Sequence, residues 1–389
     1  MEHDLIVVGG GLVGASFARA ARGCRVALVD PAQRTSGEPA PAPEDFDARI
    51  YALSPGSVAF LEQLNAWQQI APERKTPVRA MRVRGDAAAA CLEFDAYDAG
   101  VPELAWIVED RELRRALWQV LGAQDAFEHF AGSASASLAA DADAAHLTLA
   151  DGRRISARLV VGADGARSFV RSAAQIEVSE RSYAQSAVVA NFSCARPHCN
   201  TAFQWFQGGP VLALLPLPGE RVSMVWSTGE AHAAQLMSAS AAELARQLER
   251  ASGGELGALE LITPPLAFPL HCVSAARCVA PRVALIGDAA HVIHPLAGQG
   301  ANLGFQDARV LAQVLAEAGT LRDIGELRLL RRYERSRREA VLAMRATVNG
   351  LFELFGAESG ALRRLRNFGL NLTGSLPVLR NVLARRALA

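Results

Sequence analysis

The most informative part of this 389-residue chain is the segment Ala284-Leu-Ile-Gly287-Asp288-Ala-Ala-His291-Val-Ile-His294-Pro295-Leu-Ala-Gly298-Gln-Gly300-Ala-Asn302. A short apolar run ends at Gly287, an acid follows at once, and a proline-glycine loop leads into a helix that begins near Asn302. Glycines in such a loop let the backbone approach a flat or bulky group, since a side chain would collide with it. The helix start would aim N–H groups and partial positive charge at that group. The segment therefore predicts a cofactor platform.

The second decisive segment lies at the other end of the chain. Leu5–Val8 is a short apolar run, and it is followed by Gly9-Gly10-Gly11-Leu-Val-Gly14, a helix-compatible stretch and a second apolar run that ends at Asp30. Strand, glycine turn, helix, strand and acid in this order form the dinucleotide-binding fingerprint in its required context. An acid that accepts the ribose 2′-OH disfavours a 2′-phosphate. The sequence therefore predicts bound FAD or NAD rather than NADP.

Composition narrows the classes of function. Basic and acidic residues balance at 40 each, so no nucleic-acid partner is indicated. Lys75 is the only lysine, which makes the chain a poor candidate for Schiff-base chemistry. No signal peptide and no apolar run of about 20 residues is visible, and we expect a cytoplasmic protein.

Cysteine spacing does not predict a metal site. The six cysteines include no CxxC pair, and the group formed by Cys194, His198, Cys199, His271 and Cys272 fits no familiar zinc spacing. His291 and His294 are three residues apart and next to a proline. Even with Asp288 nearby, these two histidines lack a clear third metal ligand. We predict that the protein binds no metal.

The pattern between the two decisive segments predicts further elements. Residues 47–54 are expected to open a helix that carries Val58, Leu61 and Leu64, and alternation near 81–83 and 92–94 indicates strands outside the first sheet. Another helix starts at 109–113, and residues 159–168 form a second strand-to-glycine turn with an acid, Asp164. From about 182 to 271, short strands separated by Gly-Pro turns predict an antiparallel sheet with one helix at 241–251. Beyond Leu303 the chain is predicted to be largely helical.

Four segments in this order, 9–14, 47–54, 162–168 and 287–304, resemble the class A flavoprotein aromatic hydroxylases of the p-hydroxybenzoate hydroxylase fold. The chain is similar to the ubiquinone-biosynthesis hydroxylases of the UbiH/UbiF type in the sequence GDAAHVIHPLAGQGANLGFQD, with YERSRRE after it and GPVLALLPLP before it. The resemblance covers nearly the whole chain. It implies an α/β fold, in which a Rossmann-like FAD-binding domain is interleaved with an antiparallel β-sheet substrate domain and followed by a helical C-terminus.

The resemblance also implies domain limits. The discontinuous FAD-binding domain would comprise residues 1–75, 100–181 and 272–345. The substrate domain would comprise residues 76–99 and 182–271, and residues 346–389 would form a C-terminal helical segment.

Roles for single residues follow from the resemblance. Gly9, Gly10, Gly11 and Gly14 would hold the FAD pyrophosphate and Asp30 the adenosine ribose, although many relatives use the longer Glu at the position of Asp30. The remaining cofactor contacts would be Arg49 and Arg111 on the flavin nucleotide, Asp164 on the pyrophosphate and the visiting nicotinamide, Asp288 on the ribityl chain, and Pro295, Gly298, Gly300 and Asn302 along the isoalloxazine. A helix-capping acid is the alternative for Asp288. A solvated arginine near a helix start is the alternative for Arg49 and Arg111.

The implied reaction is hydroxylation of a lipophilic aromatic substrate, a polyprenylated phenol or quinone precursor, by O2 through a flavin C4a-hydroperoxide. NAD(P)H would be a transient reductant, because only one dinucleotide fingerprint is present. Pro210, Leu215, Trp226 and His294 are expected to line the substrate chamber, and no residue is assigned a catalytic role. The chemistry needs the protein mainly to position the substrate, exclude water and stabilise the flavin anion.

Alternatives remain open at this point. The chain could be a hydroxylase of a small soluble phenol, or a scaffold of a quinone-biosynthesis complex that keeps FAD only structurally; a halogenase is disfavoured because no Trp-x-Trp-x-Ile-Pro motif occurs. In the C-terminal segment, Leu362, Leu365, Phe368 and Leu372 recur at helical spacing among arginines. This segment could lie on the inner membrane, grip a partner, or pack against the FAD-binding domain.

Overall fold

The computed structural model describes residues 3–33, 37–42, 44–85, 91–294, 298–319 and 322–356, and of residues 351–356 only the backbone. Their architecture is the predicted α/β fold, with a mostly parallel sheet and a larger, mostly antiparallel sheet. The substrate-sheet strands and the helix at 241–251 lie where the sequence predicts them.

The mostly parallel sheet is built on the N-terminal strand. Residues of this strand and its neighbours are buried on both faces, which explains their continuous apolar sequence. In spatial order its strands are β19 (Val279–Ala280), β20 (Val283–Leu285), β12 (Leu159–Gly162), β1 (Leu5–Val8), β2 (Val26–Asp30) and β8 (Phe127–Ala131). Only the β19–β20 pair is antiparallel.

The larger sheet has nine strands among the described residues. Its strands are β5 (Ala80–Arg84), β6 (Cys91–Asp95), β13 (Val178–Cys194), β14 (Thr201–Phe206), β15 (Val211–Leu217), β16 (Arg221–Gly229), β17 (Leu259–Leu261), β18 (Leu266–Ala275) and β21 (His291–Val292). Helices α6 (Glu230–Ser238) and α7 (Ala241–Ala251) share a core with one face of this sheet.

Two small sheets and the remaining helices complete the described chain. The small sheets consist of β3 (Ile50–Leu53), β7 (Ala105–Glu109) and β4 (Lys75–Val78), and of β9 (Ser135–Ala140), β10 (Ala145–Leu149) and β11 (Arg154–Ala157). The helices are α1 (Leu12–Ala20), α2 (Pro55–Gln63), α3 (Ala96–Ala99), α4 (Asp110–Gly122), α5 (Phe169–Ala173), α8 (Gly300–Ala318) and α9 (Leu327–Gly356).

The expectation that residues 47–54 open a helix was wrong. Residues 50–53 form strand β3, which pairs with β7, and α2 starts only at Pro55. Ser54 caps this helix, because its hydroxyl accepts a hydrogen bond from the Ser57 N–H. Tertiary pairing with β7 therefore decides the structure of residues 50–53.

Two segments that are far apart in the sequence meet through α1 and α8. Val13 of α1 packs against Gly287 and Gly304, and a Cβ added to Gly304 would lie 2.4 Å from Val13 Cγ2. The absence of a side chain on Gly304 therefore allows the two helices to approach closely. This contact brings the N-terminal glycine loop and the 287–304 segment to one place.

Of the described helices, none combines the length and apolar character needed to cross a bilayer. The C-terminal residues Leu362, Leu365, Phe368 and Leu372 lie outside the described residues.

Candidate functional site

At three positions of the N-terminal glycine loop, neighbouring protein atoms leave no room for a side chain. A Cβ at Gly9 would lie 2.4 Å from the Ala163 carbonyl oxygen, one at Gly10 2.5 Å from Asp30 Oδ2, and one at Gly14 1.9 Å from the Gly9 oxygen. Gly11 differs, because no described protein atom lies within 4 Å of the position its Cβ would take. The loop therefore leaves open space at Gly11.

Asp30 lies at the end of β2 directly beside this loop. Its Oδ2 accepts a hydrogen bond from the Gly10 N–H at 2.5 Å, and its Oδ1 accepts one from the Ala32 N–H at 2.7 Å. The Trp118 indole fixes the loop from the other side by donating to the Gly10 carbonyl at 3.0 Å. The acid predicted from the fingerprint thus also orients the glycine loop.

Asp164 follows β12, and its backbone borders Gly9. Its carboxylate accepts hydrogen bonds from Ser168 Oγ at 2.5 Å and from the Val170 N–H at 3.1 Å. The side chain therefore holds the turn into α5, while the backbone of the same residue forms part of the wall beside the glycine loop.

Asp288 follows Gly287 in a single turn of 3-10 helix. The side chain keeps an exposed surface, yet desolvation by the surrounding protein raises the pKa of the carboxyl group. The nearby charges of His291 and Arg49 act against this rise. The Asp288 carboxylate is accessible to solvent and also surrounded by protein atoms, so it lies in a concavity.

The loop before α8 is tied to β3. Asn302 is completely buried; its Oδ1 accepts hydrogen bonds from the Ser54 N–H at 2.9 Å and Ser57 Oγ at 2.7 Å, and its Nδ2 donates to the Ala52 carbonyl at 2.9 Å. The Asn302 side chain thus fastens α8 to the β3–α2 connection and does not point to an open surface.

Two glycines border the Asn302 position. Gly298 adopts a φ of +61°, which favours glycine, and its Cβ would lie 3.5 Å from that of Ala52. Gly300 resembles Gly11, since no described protein atom lies within 4 Å of its Cβ position. Pro295 lies outside the described residues.

The two predicted arginines have different surroundings. Arg111 donates to Asp45 Oδ2 at 2.9 Å and to the Asp45 carbonyl at 2.7 Å, so its guanidinium holds the loop before β3. Arg49 is exposed, and its guanidinium carbon lies 5.5 Å from the Tyr51 ring centre and 5.7 Å from that of Phe268. Arg49 therefore stands where β3 meets strand β18 of the larger sheet.

The larger sheet separates two of the predicted substrate residues. Trp226 is buried in the core shared with α6 and α7, so its prediction as a chamber residue was wrong. Leu215, on the opposite face, packs against the same buried cluster as Ile50 and Ala52 of β3. Successive residues of a strand alternate between faces, which places Val225 on the Leu215 face and Trp226 on the other. Pro210 lies in the connection between β14 and β15.

An apolar surface on the Leu215 face was missed from the sequence. Val189 of β13 pairs with both Val225 and Leu266, and Phe268 follows two residues later on the same face. Leu266 and Phe268 are exposed, although both are large apolar side chains. The face that looks toward β3 and Arg49 is thus apolar and partly open.

His294 is buried and lies three residues after His291. Its ring contacts that of Tyr183 edge-on at 4.7 Å between centres, and its Nε2 lies 3.5 Å from Gln185 Oε1. Burial lowers the pKa of His294 to about 4, so the ring is neutral at physiological pH. His294 can therefore form a neutral wall.

A buried ion pair missed from the sequence supports the loop that carries Arg49. Arg74 donates to Glu109 Oε1 at 2.9 Å and to the carbonyls of Ala42 and Asp45, and Glu109 Oε2 accepts from the Asp47 N–H at 2.6 Å. The buried Arg74–Glu109 pair thus fixes the backbone at Ala42, Asp45 and Asp47.

The open space and polar groups of this site fit a dinucleotide such as FAD. Gly11 and Gly300 leave open space, Asp30 and Asp288 supply acceptors, and α8 starts at Gly300. A helix N-terminus stabilises negative charge. No group of three or more His, Cys, Asp or Glu side chains suited to a metal occurs within the described residues.

Comparisons with known proteins agree with this geometry. Residues 2–347 match the protein family described as "FAD binding domain". The chain is 34% identical to Ubiquinone hydroxylase UbiL of Rhodospirillum rubrum, over 99% of this chain and 89% of that protein. It is also 34% identical to 3-demethoxyubiquinol 3-hydroxylase of Escherichia coli, over 99% and 98%. The crystal structure of PqsL from Pseudomonas aeruginosa, a probable FAD-dependent monooxygenase, superposes with a TM-score of 0.79 at 26% identity, over 95% of this chain and all of that one.

Proposed function

Because the chain belongs to the FAD-dependent hydroxylases of the UbiH/UbiF type, we propose that this monooxygenase hydroxylates the aromatic ring of a polyprenylated quinone precursor in ubiquinone biosynthesis. The observation that carries the proposal is the full-length similarity to two hydroxylases named for ubiquinone substrates. The partly open apolar face of the larger sheet is in keeping with a lipophilic substrate.

When bound, FAD would supply the redox chemistry, which is reduction by NAD(P)H and activation of O2, so that one oxygen atom enters an electron-rich ring and the other leaves as water. The chain's own task is to bind the reactants, orient them and exclude water. One dinucleotide fingerprint is present, which supports transient binding of NAD(P)H beside the flavin rather than in a second domain.

The cofactor contacts that we propose follow the geometry. The backbone at Gly11 would approach the pyrophosphate, with Gly9, Gly10 and Gly14 shaping the loop, and Asp30 would accept from the adenosine ribose. Asp288 would accept from the ribityl chain, because its carboxylate is accessible within a concavity. Gly298 and Gly300 would let the backbone lie along the flavin ring, and the N–H groups at the start of α8 would stabilise negative charge on it.

Of three other predicted residues, two would support the cofactor site indirectly and one would contact the cofactor. Asn302 would position the loop through its bonds to residues 52–57, since its side chain is completely buried. Arg111 would act through the loop that it holds at Asp45. Arg49 would reach the flavin nucleotide directly, because its guanidinium is exposed beside Asp288.

The substrate ring would bind between the flavin and the Leu215 face of the larger sheet. Val225 and Val189 extend this face toward Leu266 and Phe268, whose exposure offers apolar contact to a hydrocarbon tail. His294 would close the chamber as a neutral side chain. The division into FAD-binding residues 1–75, 100–181 and 272–345 and substrate residues 76–99 and 182–271 remains our working proposal.

We also propose that the C-terminal segment contacts a membrane surface or a partner that presents the lipid. Its apolar residues at helical spacing, among them Leu362 and Phe368, support this proposal together with nearby arginines. Liposome sedimentation of the full chain and of a chain ending at Gly360 measures it. Weaker sedimentation of the shorter chain is expected, and equal sedimentation would contradict membrane contact.

The test of the proposed function is mass spectrometry of quinone intermediates in cells that lack this protein. We expect a prenylated intermediate that lacks one ring oxygen to accumulate, and its structure would identify the carbon that is hydroxylated. Purified protein should also oxidise NAD(P)H under air. An unchanged quinone profile in the deletion cells, with active protein in the parent, would contradict the proposal.

A further inference from the structure

A completely buried carboxylate, that of Asp307, connects three segments around the Asp288 turn. Asp307 lies in α8, about two helical turns after Gly300. Its Oδ2 accepts a hydrogen bond from the Gly287 N–H at 2.9 Å and lies 2.7 Å from His291 Nε2. Its Oδ1 accepts one from Arg337 Nε of α9 at 2.6 Å, and Arg337 is itself buried.

The charges in this cluster support one another. Burial acts against protonation of His291, but the Asp307 carboxylate outweighs it and raises the His291 pKa above its ordinary value. Burial likewise acts against ionisation of Asp307, but His291 and Arg337 lower its pKa. A buried carboxylate is stable only when paired in this way. The Asp307 carboxylate is therefore paired with the Arg337 guanidinium and favours the protonated form of His291.

The Asp288 turn depends on this cluster for its position and its electrostatic surroundings. Asp288 is directly bonded to Gly287, whose N–H binds Asp307, and His291 lies three residues further on. The His291 charge lowers the Asp288 pKa, against the effect of burial. A change at Asp307 would thus reach Asp288 through both the backbone and the charge of His291.

We propose that Asp307 is a positioning residue of the cofactor site, which fixes the orientation and charge of His291 and of the Gly287–Asp288 turn at the place where FAD binds. This role concerns the cofactor and is independent of the identity of the aromatic substrate. It requires that Asp307 raises the pKa of His291.

Titratable groups face the cluster from several elements. Besides Asp288 of the same turn, these are Arg337 and Tyr333 of α9, Cys278 before β19, and Arg49 near Asp288. Burial raises the pKa of both Tyr333 and Cys278, so neither carries charge near neutral pH. The pH dependence near neutrality is therefore expected to come from His291.

Histidine nitrogen NMR on 15N-labelled, FAD-free protein reads the state of His291 directly, with His291→Gln to assign the signal. We expect the His291 ring to titrate at a higher pH in the wild type than in Asp307→Asn. The same titration midpoint in the two proteins would overturn the proposal.

The dissociation constant of FAD gives the second readout. We expect Asp307→Asn to raise it at least about tenfold. Asp323→Asn is the matched control, because Asp323 also pairs with a buried arginine, Arg282, at 2.6 Å. Thermal unfolding of both FAD-free variants measures the purely structural effect. Equal FAD affinity in the two variants would overturn the proposal.

The variant His291→Gln keeps the proposal testable if Asp307→Asn does not fold. Wild-type FAD affinity should fall as the pH rises through the titration of His291, because the cation beside Asp288 is lost. The variant should lack this dependence and bind FAD several-fold more weakly at pH 7. The same pH dependence in both proteins would contradict the role of His291 and Asp307.

Discussion

Val13 and Gly304, which are far apart in the sequence, meet in one contact: the Val13 side chain occupies the space that a Cβ on Gly304 would need, 2.4 Å from Val13 Cγ2. Valine is stiff because it branches at Cβ, so it cannot move aside freely. The approach of α1 to α8 therefore depends on glycine at position 304.

Gly304→Ala is expected to destabilise the protein by about 1 to 3 kcal/mol, since it overpacks the α1–α8 contact. Adding Val13→Ala should recover part of this loss, because it removes the Cγ2 methyl group that clashes. Gly350→Ala is the control: it lies in α9, and no described atom is within 4 Å of its Cβ position. Urea unfolding of the FAD-free variants measures the effect, and a fully stable Gly304→Ala protein would contradict the packing argument.

Arg74→Met is expected to cost about 3 to 5 kcal/mol of stability, because it leaves Glu109 buried without its partner. The double variant Arg74→Met/Glu109→Gln should be less destabilised than the single variant, since no unpaired charge remains. FAD affinity should fall in both, because the carbonyl groups of Ala42 and Asp45 lose their hydrogen bonds to Arg74. Urea unfolding and FAD titration check this. A single variant no less stable than the double would show that the charge is not effectively buried.

Acid should destabilise the protein through His294. Its pKa is about 4 in the folded state and about 6.5 when unfolded, so between these values the unfolded chain binds a proton that the folded chain does not. Stability therefore falls as the pH drops from about 7 to 4, by at most about 1.4 kcal/mol per pH unit from this residue.

His294→Gln should flatten that part of the stability profile. His271→Gln is the matched control, because the His271 side chain is 42% exposed. Thermal midpoints measured from pH 7.5 to pH 4.5 show the difference between the variants. An equally steep loss in wild type and His294→Gln would contradict the assignment.

Leu215 and Trp226 should separate substrate binding from stability. Leu215→Ala removes apolar contact from the face that looks toward β3, and we expect KM for a short-tailed quinone precursor to rise about tenfold, the scale of one apolar contact. Trp226→Phe alters the core on the opposite face, so it should lower the unfolding temperature and leave KM unchanged. Initial rates of NAD(P)H oxidation coupled to product formation measure KM. The reverse pattern would place the substrate on the α6–α7 face.

The glycine loops and their acids were predictable because their backbone geometry restricts the residue type. Gly9 has a φ of +103° and Gly298 one of +61°, and only glycine adopts such values easily. Asp30 and Asp288 follow buried strands at fixed spacing from these loops. Local sequence therefore contains the information that locates this part of the site.

Other features depend on tertiary contacts that local sequence does not specify. Residues 50–53 become a strand only because β7 pairs with them. Strands β8 and β9 were not predicted, since FEHFA and SASLAA contain few of the β-branched residues that favour strands. The sequence does not predict which face of β16 packs against the helices, because Trp226 and its neighbour Val225 are both apolar.

The buried cluster around Asp307 had a signal in the sequence that was not used. Asp307 lies between Leu303 and Leu311 at spacings of four, on the buried stripe of α8. Arg337 similarly follows Leu330 and Tyr333 on the stripe of α9. A charged residue within an apolar helical stripe indicates a buried partner of opposite charge.

Fluorescence titration of FAD-free protein with FAD, for the wild type, Gly11→Val and Gly300→Val, tests most directly whether both ends of the chain bind one cofactor. The positions of these two glycines' Cβ atoms are free of described protein atoms, so each substitution should leave the FAD-free protein stable. We predict saturation of the wild type at one FAD per chain and at least about tenfold weaker binding in each variant. A wild type that binds no FAD, or a variant at either end that binds it as tightly as the wild type, would contradict the account.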